Sequence, residues 1–278
     1  MANRFWRQLR LGLPTLLGLA RRGFFIPYRY ACSVRPLDAY ASAARLFGAA
    51  RADFIAALDD LATWRDDLMR IAADDAPPAP RWNQHWFAPL DAAMLYRFMR
   101  RHQPRLLIEV GSGHSTRFAA RAIADGKLAT RHVAIDPAPR ADLAGLAVDM
   151  QRCLLEDADP ALFGALQPGD MLFIDSSHIL MPGTDVDRLF NEILPGLAAG
   201  VIVHVHDVFL PDDYPADWAW RGYNEQNALL PFLTGGAYRP LFASRYAQTR
   251  LKAETAASLV ATLPSHQNLA TSLWLQKN

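Results

Sequence analysis

Two short runs in this chain could do acid–base work. Asp175-Ser176-Ser177-His178 follows the apolar run Met171-Leu172-Phe173-Ile174, and His206-Asp207 closes the run Val201-Ile202-Val203-His204-Val205. A carboxylate and an imidazole close together at a strand end can form a general base with its orienting partner. Two carboxylates on neighbouring strands, about 4.8 Å apart, repel unless a cation or a shared proton lies between them. The set therefore supports either general-base chemistry or a divalent-metal site at Asp175 and Asp207. Strand alternation puts His204 and His206 on one face, with Val201, Val203 and Val205 on the other. His204 is the deeper and reads as a core histidine. His206 lies nearer the strand end and reads as functional, alongside His178 and Asp207.

A second group could hold a ligand. Leu106-Leu107-Ile108 reads as a buried strand that runs into Glu109, passes through Gly111-Ser112-Gly113 and enters a helix near Ser115. Such a turn presents backbone N–H groups and a helix N-terminus to whatever binds there. The dinucleotide fingerprint fails, because Thr116 stands where it needs a third glycine or an alanine. The carboxylate of Glu109 would repel a pyrophosphate and attract an ammonium group. The next strand, His132 to Ile135, ends in Asp136. This acid lies about 25 residues beyond Gly111, near the offset at which a carboxylate accepts from ribose hydroxyls. Glu109, Gly111, Gly113 and Asp136 together point to an adenosine-bearing ligand. Asp157 is the first choice to accept from an adenine amino group, with Glu156 as the fallback.

These residues need a scaffold that brings strand ends to one edge. Strands are expected at 105–110, 131–136, 148–154, 170–175, 200–206, 239–244 and 271–276, with helices at 115–125, 184–194, 222–234 and 252–262. Apolar strands alternating with helices imply an α/β fold, a mostly parallel sheet covered on both faces. Residues 37 to 73 read as one or two helices, and Pro89 to His102 as another. The break at Asp74 to Pro80 suggests a division into an N-terminal helical extension, 1–80, and a main domain, 81–278. The aromatic cluster Trp82 to Phe87 reads as core, with pocket lining as the alternative. The loop from Pro211 to Trp218 follows a strand end and could close over an acceptor as a lid. Arg221 either holds an anionic acceptor or pairs with Glu225 one helical turn on.

Bulk properties narrow the classes. The chain has 278 residues, is 51% hydrophobic and 21% charged, and carries a net charge of +1. Nothing in it marks a nucleic-acid footprint. Its two cysteines, Cys32 and Cys153, lack metal-ligand spacing, so neither a disulfide framework nor a zinc site is expected, and a reducing cytoplasm fits. Near the start, Arg4, Arg7 and Arg10 precede the apolar stretch Leu11 to Ala20, closed by Arg21-Arg22. The stretch is shorter than the roughly 20 residues a membrane span needs. Pro14 and the lack of a small-residue cleavage site argue against a signal peptide. Residues 1–30 read as a helix that packs on the domain or on a second subunit of a homo-oligomer. The alternative is a basic amphipathic helix on a membrane surface.

The strings IEVGSGHSTRF, VAID, GDMLFIDSSH and ILPGLAAGVIVHVHDVFLPDDYP, followed by RGYNEQ, closely resemble a bacterial group of class I S-adenosylmethionine-dependent methyltransferases. The resemblance runs from about Trp82 to Ala243 and is similar to small-molecule O-methyltransferases. It implies a Rossmann-like, doubly wound sheet of seven strands with the last antiparallel, and S-adenosylmethionine as methyl donor. It further implies that Glu109, Gly111, Gly113 and Ser115 bind the methionine part, Asp136 the ribose and Asp157 the adenine side, with Asp175 beside the sulfonium. Related O-methyltransferases hold a divalent metal, such as Mg²⁺, on strand-end acids that often include two adjacent acids after the fifth strand. Here that pair is His206-Asp207. The implied reaction is methyl transfer to a small hydroxylated or glycosidic acceptor, with His178 or His206 as base, oriented by Asp175 or Asp207. Two other readings stand beside it: a nicotinamide-dependent oxidoreductase, disfavoured by Thr116 and Glu109, and a catalytically silent cofactor-binding or membrane-associated scaffold. The acceptor pocket carries no readable code.

Overall fold

Seven short apolar runs form one sheet in the computed structural model, which describes residues 2–264 and 269–278. The strands are β1 (Leu106–Val110), β2 (Arg131–Ile135), β3 (Asp149–Gln151), β4 (Met171–Ile174), β5 (Ile202–Val205), β6 (Tyr238–Ala243) and β7 (Leu273–Lys277). Their order is β3-β2-β1-β4-β5-β7-β6. β1 to β5 run parallel, and β7 lies antiparallel between β5 and β6. This is the doubly wound, seven-stranded sheet with one antiparallel strand that the sequence implies. Strands buried on both faces explain the continuous apolar runs of β1, β4 and β5.

Register sets the chemistry. Val110 is level with both Ile135 and Ile174, and Ile174 is level with Val205. Four central strands therefore end together, and Gly111, Asp136, Asp175 and His206 emerge along one edge. Strand order reverses between β1 and β4, the place where ligands bind in open α/β sheets.

The helices are α1 (Ala2–Leu16), α2 (Ala41–Ala49), α3 (Arg51–Asp60), α4 (Arg65–Met69), α5 (Pro89–His102), α6 (His114–Gly126), α7 (Ala161–Gly164), α8 (Asp185–Arg188), α9 (Leu194–Gly196), α10 (Glu225–Thr234), α11 (Ser244–Arg250) and α12 (Lys252–Ala257). α5 starts with Pro89, ends in Arg100, Arg101 and His102, and stops at Gln103 in the left-handed conformation. These are the start, charge and stop signals of a well-determined helix. The single helix expected at 184–194 is instead α8 and α9 joined by a π turn, Leu189–Ile193. The irregularity comes just ahead of Pro195, which has no amide to continue an α-helical ladder.

The chain divides into two compact units, Met1–Pro36 and Leu37–Asn278. The proline-rich break at residues 74–80, expected to separate a helical extension from the main domain, lies inside the second unit. The reason is aromatic packing: Phe54 on α3 meets Phe242 of β6 at 5.6 Å and Tyr246 of α11 at 5.8 Å between ring centroids. Trp82, beyond the break, donates its indole N–H to the Ile71 carbonyl at 2.9 Å. Helices α2 and α3 thus cover the β6 end of the sheet and share its core.

Candidate active site

The glycine turn after β1 fits tightly against β4. Gly111 has φ +88°, and a Cβ there would lie 1.8 Å from the Asp175 carbonyl oxygen. No other residue fits this position. Gly113 is different: a Cβ built on it meets nothing within 4 Å. Its amide donates to the Thr116 hydroxyl at 3.0 Å. Thr116, which breaks the dinucleotide fingerprint, closes the first turn of α6 instead. Ser115 beside it is buried.

Asp136 clamps this turn from the end of β2. One oxygen accepts from the Ser112 amide at 2.9 Å and from the Ser112 hydroxyl at 2.8 Å. The other accepts from the Ala138 amide at 2.8 Å. A carboxylate offers about four lone-pair sites, so three bonds leave room for one ligand hydroxyl. Glu109 is placed otherwise than its sequence position suggests. Its side chain is fully buried and paired with His132 at 2.9 Å, leaving the second carboxylate oxygen without a hydrogen-bond partner. Asp157 ends a short 3₁₀ turn after β3, and neighbouring Glu156 lines a crevice of about 290 Å³ with Phe163, Arg188 and Glu192.

Two imidazoles and four carboxylates meet where β4 and β5 end. His178 Nε2 lies 3.3 Å from Asp175 Oδ1 and 3.5 Å from Asp207 Oδ2. Its Nδ1 makes a short contact with Glu225 at the start of α10. His206 Nδ1 lies 3.5 Å from Asp175 and 3.6 Å from Asp207, while its Nε2 faces Asp91 at 3.7 Å. The sequence brings Asp175, His178, His206 and Asp207 to one place, as their strand-end positions suggest. It does not reveal Glu225 or Asp91, which come from the first turns of α10 and α5. His178 and Asp207 also hold left-handed backbones, with φ +62° and +55°. Strained positions of this kind persist where surrounding structure enforces them, often at functional sites. Asn224 does so for His178, giving its amide to the His178 carbonyl at 3.1 Å and accepting the Leu180 amide on its side chain at 2.7 Å.

The electrostatics follow from this crowding. Burial presses His178 toward the neutral form, but Glu225, Asp175 and Asp207 outweigh it and hold the imidazolium well above the usual histidine range. His206 is likewise buried, and Asp175 and Asp207 raise it. Burial opposes ionisation of Asp175, yet His206 and His178 keep its carboxyl well below the usual range. His204 stands apart. Burial and the neighbouring His206 keep it neutral, its ring stacks on Phe173 at 3.8 Å, and its Nε2 meets the Ser272 hydroxyl at 2.7 Å. It is a core histidine.

Solvent reaches this cluster mainly at Asp175, with Asp207 keeping 14% of its side chain exposed. Asp175 keeps 36% of its side chain exposed, whereas His178 and His206 behind it keep 5%. Phe87 from the aromatic cluster packs on His206 at 5.3 Å and Tyr223 on His178 at 4.5 Å. The loop expected to act as a lid is partly anchored: Asp212 is held by Arg245 at 2.9 Å and by Arg250, and Tyr40 donates its amide to the Pro211 carbonyl at 2.7 Å. Arg221 lies over Trp218 at 4.0 Å, and Glu225 faces His178.

The donor set between Asp175 and Asp207 does not fit magnesium. Mg²⁺ demands oxygen ligands in octahedral geometry, and here two imidazole nitrogens occupy the gap. Among the described residues no group of three or more His, Cys, Asp or Glu is arranged to hold a metal. The donor requirements are better met. The cluster carries more carboxylates than imidazoles, its most open carboxylate is Asp175, and along the same edge lie the glycine turn, open at Gly113, and the clamped Asp136. These features suit a ligand that is cationic at one end and carries hydroxyls further along.

Residues 108–208 match a family model described as a methyltransferase domain. A comparison with curated proteins finds no match. Among solved structures, the chain is similar to an O-methyltransferase from Bacillus cereus with bound SAH, at 14% identity over 80% of this chain and 91% of that one, TM-score 0.43. It is also similar to a methyltransferase from Podospora anserina, at 14% identity over 92% and 99%, TM-score 0.41. An O-methyltransferase of tomaymycin synthesis from Streptomyces achromogenes shares 23% identity over 54% and 70%, TM-score 0.37. At TM-scores below 0.5 these likenesses carry nothing about acceptor or mechanism. The matched segment runs from β1 to just past β5 and holds the strand-end site, so residues 108–208 carry a methyltransferase domain.

Proposed function

We propose that this enzyme methylates an oxygen of a small hydroxylated or glycosidic acceptor, with His178 as general base oriented by Glu225. The observation that carries the reading is the buried Glu225–His178 contact, which leaves Nε2 directed at Asp175 and Asp207. S-adenosylmethionine supplies an activated methyl group on a sulfonium. Gly111, Gly113 and Ser115 line its methionine end, Asp136 accepts from its ribose, and Asp157 serves the adenine side. Asp175, at the open edge of the cluster, faces the positive charge. Transfer then depends on alignment and on removal of the acceptor proton.

His178 is protonated in the free enzyme and becomes competent when Asp175 engages a cationic ligand. Asp175 then stabilises the imidazolium less, and the Nε2 proton is released. An acceptor hydroxyl beside Nε2 meets a base whose other nitrogen is fixed by Glu225. His206, enclosed between Asp175 and Asp91, acts as a charge partner for Asp175 and as the fallback base. Magnesium has no place in this scheme, so turnover persists after treatment with a chelator. A screen of hydroxylated small molecules for methylation, with His178→Gln as control, tests the proposal. Products methylated only on nitrogen, or full activity of His178→Gln, would overturn it.

A further inference from the structure

The first unit, Met1–Pro36, is built unlike the rest of the chain. It has no buried residue among those whose side chains are described. Thirteen of the eighteen large hydrophobic side chains exposed among the described residues lie in it, including Trp6 at 66%, Leu17 at 62% and Phe25 at 65% exposure. In α1, Phe5, Leu9, Leu13 and Leu16 recur at helical spacing and form one apolar stripe, with Arg7 and Arg10 outside it. Phe24, Phe25 and Ile26 continue the apolar surface beyond Arg21-Arg22.

Charge is segregated as sharply. Residues 1–37 hold seven arginines and no acid, so all 28 acidic residues lie further on. Against 22 remaining basic residues they leave that part of the chain at −6. A segment both cationic and openly apolar matches one kind of surface well: anionic headgroups over acyl chains. No described helix is long and apolar enough to cross a membrane, and α1, at 15 residues, extends only about 22 Å.

We infer that residues 1–36 form an interfacial anchor that lays this methyltransferase on an anionic phospholipid bilayer. The α1 stripe and the Phe24–Ile26 segment enter the headgroup boundary, and the arginines pair with lipid phosphates.

Co-sedimentation of the full-length protein with vesicles tests this, using phosphatidylcholine alone and phosphatidylcholine mixed with phosphatidylglycerol. The protein is expected to pellet with the mixed vesicles only, and binding should fall as salt rises. Arg21→Gln/Arg22→Gln should weaken binding roughly twenty-five-fold, at about fivefold per arginine. Phe25→Ser/Ile26→Ser should weaken it about tenfold at unchanged charge. Retained binding of S-adenosylmethionine reports that each variant is folded, and the salt titration of the wild type stands without them. No pelleting with mixed vesicles would overturn the inference, as would equal binding to neutral ones. A concentration-dependent dimer that needs Arg21 and Arg22 but ignores vesicles would assign the surface to a second copy of the chain instead.

Discussion

His178 and Glu225 are joined by geometry that neither residue type announces. Burial alone would leave His178 neutral, and its three carboxylate neighbours reverse this, with Glu225 the strongest of them. Replacing His178 with Gln should lower kcat by about 10²–10⁴-fold while donor affinity stays within a few-fold, as single-turnover rates and calorimetry would show. Glu225→Gln keeps the shape of the contact and removes its charge. The proton affinity of His178 then falls, so the acidic limb of the pH–rate profile should move to lower pH and kcat should drop. An unmoved limb would assign the titration to another group. Asp175, His178, His206 and Asp207 were legible because each sits at the end of an apolar run. Glu225 was not, since it approaches His178 from 47 positions away. Asp91 left a usable trace: an acid within the otherwise apolar start of α5, buried because it accepts the Thr271 and Ser272 amides at 2.9 and 3.1 Å.

Elements bring these groups together through register. The level ends of β1, β2, β4 and β5 mean that one residue of slippage would turn Asp175 and His206 to the wrong face. The β1 turn is the tightest point of this arrangement. Gly111→Ala should abolish donor binding and lower unfolding stability by roughly 3 kcal/mol or more, because a methyl group would press on the Asp175 backbone at a positive φ. Urea unfolding and calorimetry would check both effects. All seven strands were legible from apolar runs, and their ends were misplaced by only a few residues. The π turn ahead of Pro195 and the helix α11 were not, as periodicity does not register a local change of hydrogen-bond pattern or a short polar helix. The boundary expected near residue 80 reflected prolines, which break helices whether or not a core ends there.

At the scale of the molecule the cluster links protonation to folding. His178 and His206 have raised affinities, so their contribution to stability is complete below about pH 6.5 and is lost as pH rises through the raised values. Asp175 is lowered, so its contribution is complete above about pH 4 and is lost as pH falls through the lowered value. The stability contributed by these three groups is therefore greatest between about pH 4 and 6.5. The melting temperature should decline from pH 6.5 toward alkaline pH, and less steeply in His178→Gln/His206→Gln. The most direct test of the central claim is calorimetric titration with S-adenosylmethionine in two buffers of different ionisation enthalpy, which reads binding and proton release together. The account predicts binding accompanied by release of a proton that disappears in His178→Gln and weakens in Glu225→Gln. Absence of binding, or the same proton release from His178→Gln, would contradict it.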